Sequence, residues 1–342
     1  MDTLPLYLFY LLLRQQHKLY RMFNDIKRAS FKHKNNKPWY YVKNYIRQIL
    51  PFSIYQQQLE KKLSGLNSFD AAYIQKRVDY YNRLESQCEL PESAEVLSEF
   101  KLKNHFKVYY FDAFEYTRYF PQSLKICPLF GDVIHVPDYP SIVKSRPING
   151  DNANSVVMKL EKIRHFLFLN DKKRFEEKKD MLIGRGKIRQ EHRIRFMDMY
   201  YGHPRCDVGQ VNITSDAKYP AQRLTIGEHL DYKFILCLEG NDVASNLKWV
   251  MSSNSLAVMP KPKYETWFME GSLIPNYHYM LIKDDYSDLE ERMNYYVEHP
   301  DEANKIIDNA HRYVDQFRNK DQEDLLNLLV LKKYFEKTGQ SY

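Results

Sequence analysis

Two short apolar runs, residues 234–238 (Phe-Ile-Leu-Cys-Leu) and 256–259 (Leu-Ala-Val-Met), flank a polar turn and a segment of helical period. Neither run alternates apolar with polar residues, which is how strands buried on both faces of a parallel sheet read. Glu239-Gly240-Asn241-Asp242 supplies turn chemistry after the first run. Residues 244–253 carry Leu247, Trp249, Val250 and Met251 around a helical turn, and Pro260 and Pro262 close the second run. The stretch predicts a βαβ unit. Ligands of open parallel sheets gather outside the carboxyl ends of the strands, where backbone N–H groups at a helix start favour phosphate. The turn from Gly240 to Ser245 is such a place.

A second strand-to-glycine pattern precedes it. Asp180-Met-Leu-Ile-Gly-Arg-Gly186 predicts a strand entering a glycine turn. It is not the dinucleotide fingerprint, because Arg189 stands where the third glycine belongs. Seven of the 11 glycines lie between Gly184 and Gly271, where backbone must approach a ligand or turn tightly, or where loops are simply punctuated.

Within this region the order of several separate motifs resembles glycosyltransferase family 90. They are the βαβ segment with Ala244-Ser245-Asn246-Leu247-Lys248, then Tyr264-Glu265 followed by Trp267-Phe268, then Tyr277-His278-Tyr279 and Ser287-Asp288-Leu289. The resemblance spans the last two thirds of the chain. It implies an α/β chain of GT-B type, with two Rossmann-like domains facing a central cleft. The expected division is an acceptor-side domain over residues 1–155, a nucleotide-sugar domain over 156–318 and a closing helix over 319–342. No Asp-x-Asp occurs in the sequence, nor a P-loop, His-Glu-x-x-His or Gly-x-Ser-x-Gly. The resemblance therefore implies an inverting transfer without metal or other cofactor, from a UDP-sugar (glucose or xylose) to a hydroxyl of lipopolysaccharide core or a related glycan.

It also implies roles residue by residue. Ile134-His-Val-Pro-Asp138-Tyr-Pro140 is similar to the family motif whose aspartate is the catalytic base, which makes Asp138 the base. An acceptor hydroxyl attacking an anomeric carbon must lose its proton, and a carboxylate can take it. Read from local sequence alone, Asp138 serves equally well as a turn residue between prolines. Arg185, Gly186 and Arg193 are similar to the element near the donor diphosphate, where guanidinium groups offset the leaving group's charge. Gly240, Ser245, Asn246 and Lys248 complete that donor site, with Asn246 standing where the family often has arginine. Glu265 is expected on the nucleotide ribose, or else as a first-turn helix residue. Arg146, in a segment read as a loop and hinge, is expected at an acidic acceptor or in solvent.

The remaining elements are read from pattern. Residues 106–111 and 133–136 predict strands. Ser68 or Asp70 caps a helix running to Gln87. Ser287 to Glu290 forms a capping box, and helices run to Phe317 and over 321–336.

Charge is uneven. Between Arg14 and Leu50 ten basic residues face the single acid Asp25, more than the whole chain's net charge of +7, so the remainder is slightly acidic. Aromatic and aliphatic residues interleaved with these cations suit an amphipathic helix on an anionic membrane, or a solvated basic helix packed on its own domain. Nucleic acid is disfavoured, since no recognition motif accompanies the charge. The four cysteines show neither metal-site pairing nor scaffold density. Residues 4–13 are apolar but too short to span a bilayer and carry Asp2 instead of a basic flank. The expected location is cytoplasmic, peripheral on the inner membrane. The rival reading from another class is a non-catalytic adaptor binding anionic glycan or lipid.

Overall fold

A computed structural model of the protein describes residues 33–102, 104–212 and 217–341. Most of the basic segment, and the apolar run at 4–13, lie outside the described residues. The strands in chain order are β1 Glu95–Val96, β2 Lys125–Ile126, β3 Ser141–Val143, β4 Ser145–Pro147, β5 Ser155–Val157, β6 Lys179–Gly186, β7 Cys206–Gln210, β8 Tyr232–Leu236, β9 Leu256–Met259, β10 Tyr264–Thr266 and β11 Met280–Leu281.

Five of them form one sheet in the order β11-β9-β8-β6-β7, and every neighbouring pair is parallel. Alternate residues along each strand point to opposite faces. Ile183, Ile235, Ala257 and Met259 therefore enter one apolar core, shared with the helices of the N-terminal half. Leu182, Phe234, Leu256 and Val258 enter the other, closed by Phe196 and Met197 of helix Glu191–Tyr200 and by Ile306 and Ile307 of helix Pro300–Asp315. Burial on both faces accounts for the uninterrupted apolar runs of β8 and β9. The predicted βαβ unit is formed, although its α-helix is only Leu247–Val250, with turns on either side.

The strand order defines a crevice of the kind that holds ligands in open parallel sheets. From β6 the chain moves to β7 on one side; from β8 it moves to β9 on the other. Crossovers leaving β6 and β8 in opposite directions open a gap above their carboxyl ends, where neither connection covers the sheet.

The N-terminal half departs from expectation. Among the described residues up to Val157 it holds only strands of two or three residues, joined in two-stranded pairs. A second Rossmann-like sheet is not formed there. Residues 106–111, expected as a strand, belong mainly to helix Lys107–Thr117. Tyr110, Phe111, Asp112, Ala113, Phe114, Tyr116 and Thr117 of that helix are all buried. A helix covered on nearly every side loses its 3.6-residue apolar period, and its aromatic content then imitates a strand. Residues 133–136 are unpaired loop. Conversely, Ser145–Pro147, read as a loop, is β4 and pairs antiparallel with β10. Asp70 does cap a helix, its carboxylate accepting from the Ala72 and Tyr73 amides, but the helix ends at Tyr81. The capping box at Ser287 is not formed; helix Leu289–Glu298 begins at Asp288, whose Oδ1 accepts instead from the Lys283 amide.

Helix Lys320–Lys337, set apart as a closing segment, packs back on helices Ala71–Tyr81 and Lys107–Thr117 of the N-terminal half. Tyr116 donates to Asp324 at 2.9 Å across that contact. No helix of the described residues is long and apolar enough to cross a membrane.

Candidate active site

Two adjoining cavities of about 440 and 550 Å³ lie over the carboxyl ends of β6, β8 and β9. They share Asp132, Gln190, Leu238, Gly240 and Asn241.

The smaller cavity occupies the crevice at β6 and β8 and is strongly basic. Arg164, Arg185, Lys187, Arg189 and Arg193 line it. Here the fold brings together Arg185, Gly186, Arg193, Gly240, Ser245 and Asn246, six of the residues expected at the donor. Arg193 is the central one. Its Nε donates to the Glu239 carbonyl at 2.7 Å, and its terminal nitrogens donate to the Leu238 and Lys187 carbonyls at 2.8 and 2.9 Å. These bonds fix the guanidinium without neutralising it, and no carboxylate of the described residues pairs with it. A side chain at Gly186 or Gly240 would put a Cβ 3.5 or 3.4 Å from its terminal nitrogens. Both glycines therefore leave the guanidinium uncovered. Burial lowers the Arg193 pKa, the mark of a cation stripped of water with no full counter-charge. Such a group attracts an anion.

Arg185 is more fully occupied. It pairs with Asp207 at 2.5 Å and donates to the carbonyls of Gln222, Gly184 and Asp207. Asn246 turns its amide onto the Leu236 carbonyl at 2.9 Å.

Three expected site residues point elsewhere. Lys248 is fully buried, and its ammonium pairs with Glu270 in the interior. Arg146 and Glu265 bind each other: Nε donates to Oε1 at 2.8 Å, and Arg146 also donates to the carbonyls of Tyr80, Tyr81 and Ser155. Tyr80 donates its hydroxyl to the other Glu265 oxygen. The pair locks β4 to β10 and to helix Ala71–Tyr81. Arg146 is 0% exposed, so in this structure it faces neither solvent nor a cavity.

Asp138 is exposed, on the loop leading into β3, and lines neither cavity. Asn154 holds that loop by donating to the carbonyls of Pro137 and Asp138 at 3.1 and 2.9 Å. The same loop begins with Asp132, which sits where the two cavities meet. One Asp132 oxygen accepts from Lys144 and the other from Asn241, at 2.5 and 3.1 Å. Lys144 itself is buried and also pairs with Asp242 at 2.8 Å. Burial alone would raise the Asp132 pKa, but the hydrogen bond and charge of Lys144, with the Asn241 hydrogen bond, together outweigh it and hold the carboxyl below its ordinary value. Nothing in the sequence singles out Asp132, because its partners lie 12 and 109 positions away.

The larger cavity lies over the ends of β8 and β9, between Glu239, Pro260, Lys263 and Tyr264 on one side and Gln190 and His192 on another. Glu239 was legible as the residue following the β8 run but carried no expected role. Its Oε1 accepts from the Lys263 and Tyr264 amides at 2.9 and 3.1 Å. Burial outweighs those bonds and pushes its carboxyl from 4.5 up to about 7. A raised acid favours the folded state when protonated, so its contribution is complete below about pH 4.5 and disappears as pH rises through about 7. Glu239→Gln, which keeps both acceptor bonds, is expected to flatten that decline by about 1–3 kcal/mol in unfolding experiments run from pH 4.5 to 8. Identical pH profiles for the two proteins would show that Glu239 titrates normally.

The sequence profile of Glycosyl transferase family 90 matches residues 143–336. That span contains β6, β8, β9 and the basic cavity apart from Asp132, whereas Asp132 and Asp138 lie just before it. The chain is also 41% identical over 310 residues to the O-glucosyltransferase LpsA of Dichelobacter nodosus, covering 88% of this chain and 97% of that protein. An adaptor without activity does not follow from such relatives. A profile match over more than half the chain and a near full-length relative place this protein in glycosyltransferase family 90, as a glycosyltransferase.

Proposed function

We propose that the protein transfers glucose from UDP-glucose, with inversion and without a metal ion, to a hydroxyl of lipopolysaccharide core or a related bacterial surface glycan. The observation that carries this reading is Arg193, a fixed and uncompensated guanidinium between two glycines at the crevice of a parallel sheet. It suits the diphosphate of a nucleotide sugar, with Arg185, Arg189 and Lys187 adding positive charge. The name of the relative, an O-glucosyltransferase, favours glucose over xylose. The adjoining cavity is the place for the nucleoside, where Glu239 replaces Glu265 as the carboxylate available to ribose hydroxyls.

In the reaction the acceptor oxygen bonds to the anomeric carbon as its proton passes to Asp138. The bond from that carbon to the phosphate oxygen breaks, and its electron pair leaves with UDP toward Arg193. Five cationic side chains around the cavity supply the charge stabilisation that a metal gives elsewhere. Donor in the C-terminal half and base in the N-terminal half is the division of labour expected of a GT-B enzyme, although the described N-terminal half lacks a Rossmann-like sheet. The expected location is the cytoplasm, at the membrane face where glycan acceptors are presented.

The test is thermal stability against UDP, GDP, CMP and their sugars, since a ligand selective for the native state raises Tm by mass action. UDP and UDP-glucose are expected to stabilise the chain, and Arg193→Met to lower kcat/KM by about 10²–10³-fold while weakening UDP at least about tenfold. Arg193→Lys should recover only part of both. Stabilisation by another nucleotide, or full UDP binding in Arg193→Met, would refute the assignment.

A further inference from the structure

Helix Lys37–Ile49 carries apolar residues on its outer face as well as its inner one. The face turned to the protein is mixed: the rings of Tyr40, Tyr41 and Tyr45 meet Phe111 edge-on, while Tyr40 donates to Asp112 at 2.7 Å, Asn44 is 2% exposed, and Arg47 pairs with Glu115. The face turned to solvent is apolar. Trp39, Val42, Ile46 and Ile49 recur at helical spacing and are 61%, 49%, 51% and 82% exposed. Leu50, Phe52 and Ile54 continue the exposed apolar surface past the helix end. A helix that only covers its own domain turns polar residues outward, so this outer face is built for something other than water.

Charge identifies the occupant. Residues 33–64 carry six lysines and arginines against Glu60 alone, and residues 14–32 add six more against Asp25. Lys43, exposed, borders the apolar stripe. A second copy docking on the same face would set like charges against each other, because a two-fold contact repeats the same patch. An anionic bilayer offers an apolar layer for Trp39 and the isoleucines and headgroups for the lysines together. The helix also begins beside the site: Asn35 donates to the Ile163 carbonyl at 3.0 Å, next to Arg164, which lines the basic cavity.

We infer that residues 37–54 form a docking surface for an anionic lipid bilayer, which seats the donor cavity at the membrane. The inference rests on the membrane-side location proposed above and not on the donor chemistry. The full chain is mixed with vesicles of phosphatidylglycerol and phosphatidylcholine in equal parts, or of phosphatidylcholine alone, and floated on a density gradient. Turnover of UDP-glucose on a delipidated core oligosaccharide is followed in parallel. The wild type is expected to float with the anionic vesicles, at least about tenfold more than with neutral ones, and to lose that partition in salt. Ile46→Asp/Ile49→Asp is expected to stay in solution with its Tm and its turnover of the soluble oligosaccharide unchanged, and Lys43→Glu to float less. A wild type that remains in solution, or a double variant that floats like it, overturns the docking surface. So does a wild-type dimer that the double variant dissociates, since a second copy then covers the face. Flotation without turnover would sink the donor reading and leave the surface standing; turnover without flotation does the reverse.

Discussion

Asp138→Asn is expected to lower kcat by about 10²–10⁴-fold while leaving Tm within about 2 °C of the wild type. The first half follows from the proposed chemistry, in which an amide cannot take the acceptor's proton. The second follows from the structure. Asp138 is exposed, and among the described residues its loop is held through backbone carbonyls by Asn154, not through its carboxylate. Asp132→Asn is the necessary comparison, since that carboxylate stands at the cavity junction. Lys144 holds Asp132 ionised, which makes it a weaker base and a better acceptor for sugar hydroxyls. Asp132→Asn should therefore raise KM for the sugar nucleotide more than it lowers kcat. Loss of kcat in Asp132→Asn with normal turnover in Asp138→Asn would move the base to the junction.

Glu323→Gln is expected to produce the largest loss of stability, about 3–5 kcal/mol. In Tm this is a drop on the order of 10 °C. Glu323 lies on helix Lys320–Lys337, is 2% exposed and serves three partners from distant parts of the chain. Lys159 and the Trp267 indole donate to its Oε2 at 2.8 and 2.6 Å. Arg77 approaches Oε1 at 2.7 Å as an ion pair without the direction of a hydrogen bond. Trp267 is stacked on Tyr81 at 3.8 Å, so the acid also fixes an aromatic pair in the core. Neutralising Glu323 leaves two buried cations without their counter-charge, and burial already disfavours the charged form of Lys159 more than Glu323 supports it. Replacement by a well-packed residue is cheap only when all members of such a cluster change together. A Tm shift of 2 °C or less would show that water or rearrangement compensates the cations.

Three of the five strands of the parallel sheet, β6, β8 and β9, and the position of the crevice could be read from the sequence, whereas β7 and β11 could not. A strand covered on both faces must be apolar at nearly every position, so β8 and β9 appear as unbroken runs, and their ends are marked by Glu239-Gly240 and Pro260. The turn residues after β8 and the Arg185-Gly186 pair ending β6 fall near each other, because neighbouring parallel strands present the same end. Helix Lys107–Thr117 escaped the same reading, since burial on most sides erases the period that identifies a helix.

Side-chain partnership was the other thing that local pattern did not carry. Arg146 and Arg193 both read as anion-binding candidates. One meets Glu265, 119 positions away, and is buried as a structural tie; the other meets only backbone carbonyls and keeps its charge for the cavity. Asp132 and Lys144 likewise acquire their setting from Asn241 and Asp242 across the crevice. By itself the sequence determined the three central buried strands β6, β8 and β9, where their turns lie and which family their order resembles, because periodicity and turn chemistry act over a few residues. Only the tertiary structure decided which charges are paired and which remain open, because that depends on distances between segments far apart in the chain and on how much water reaches them.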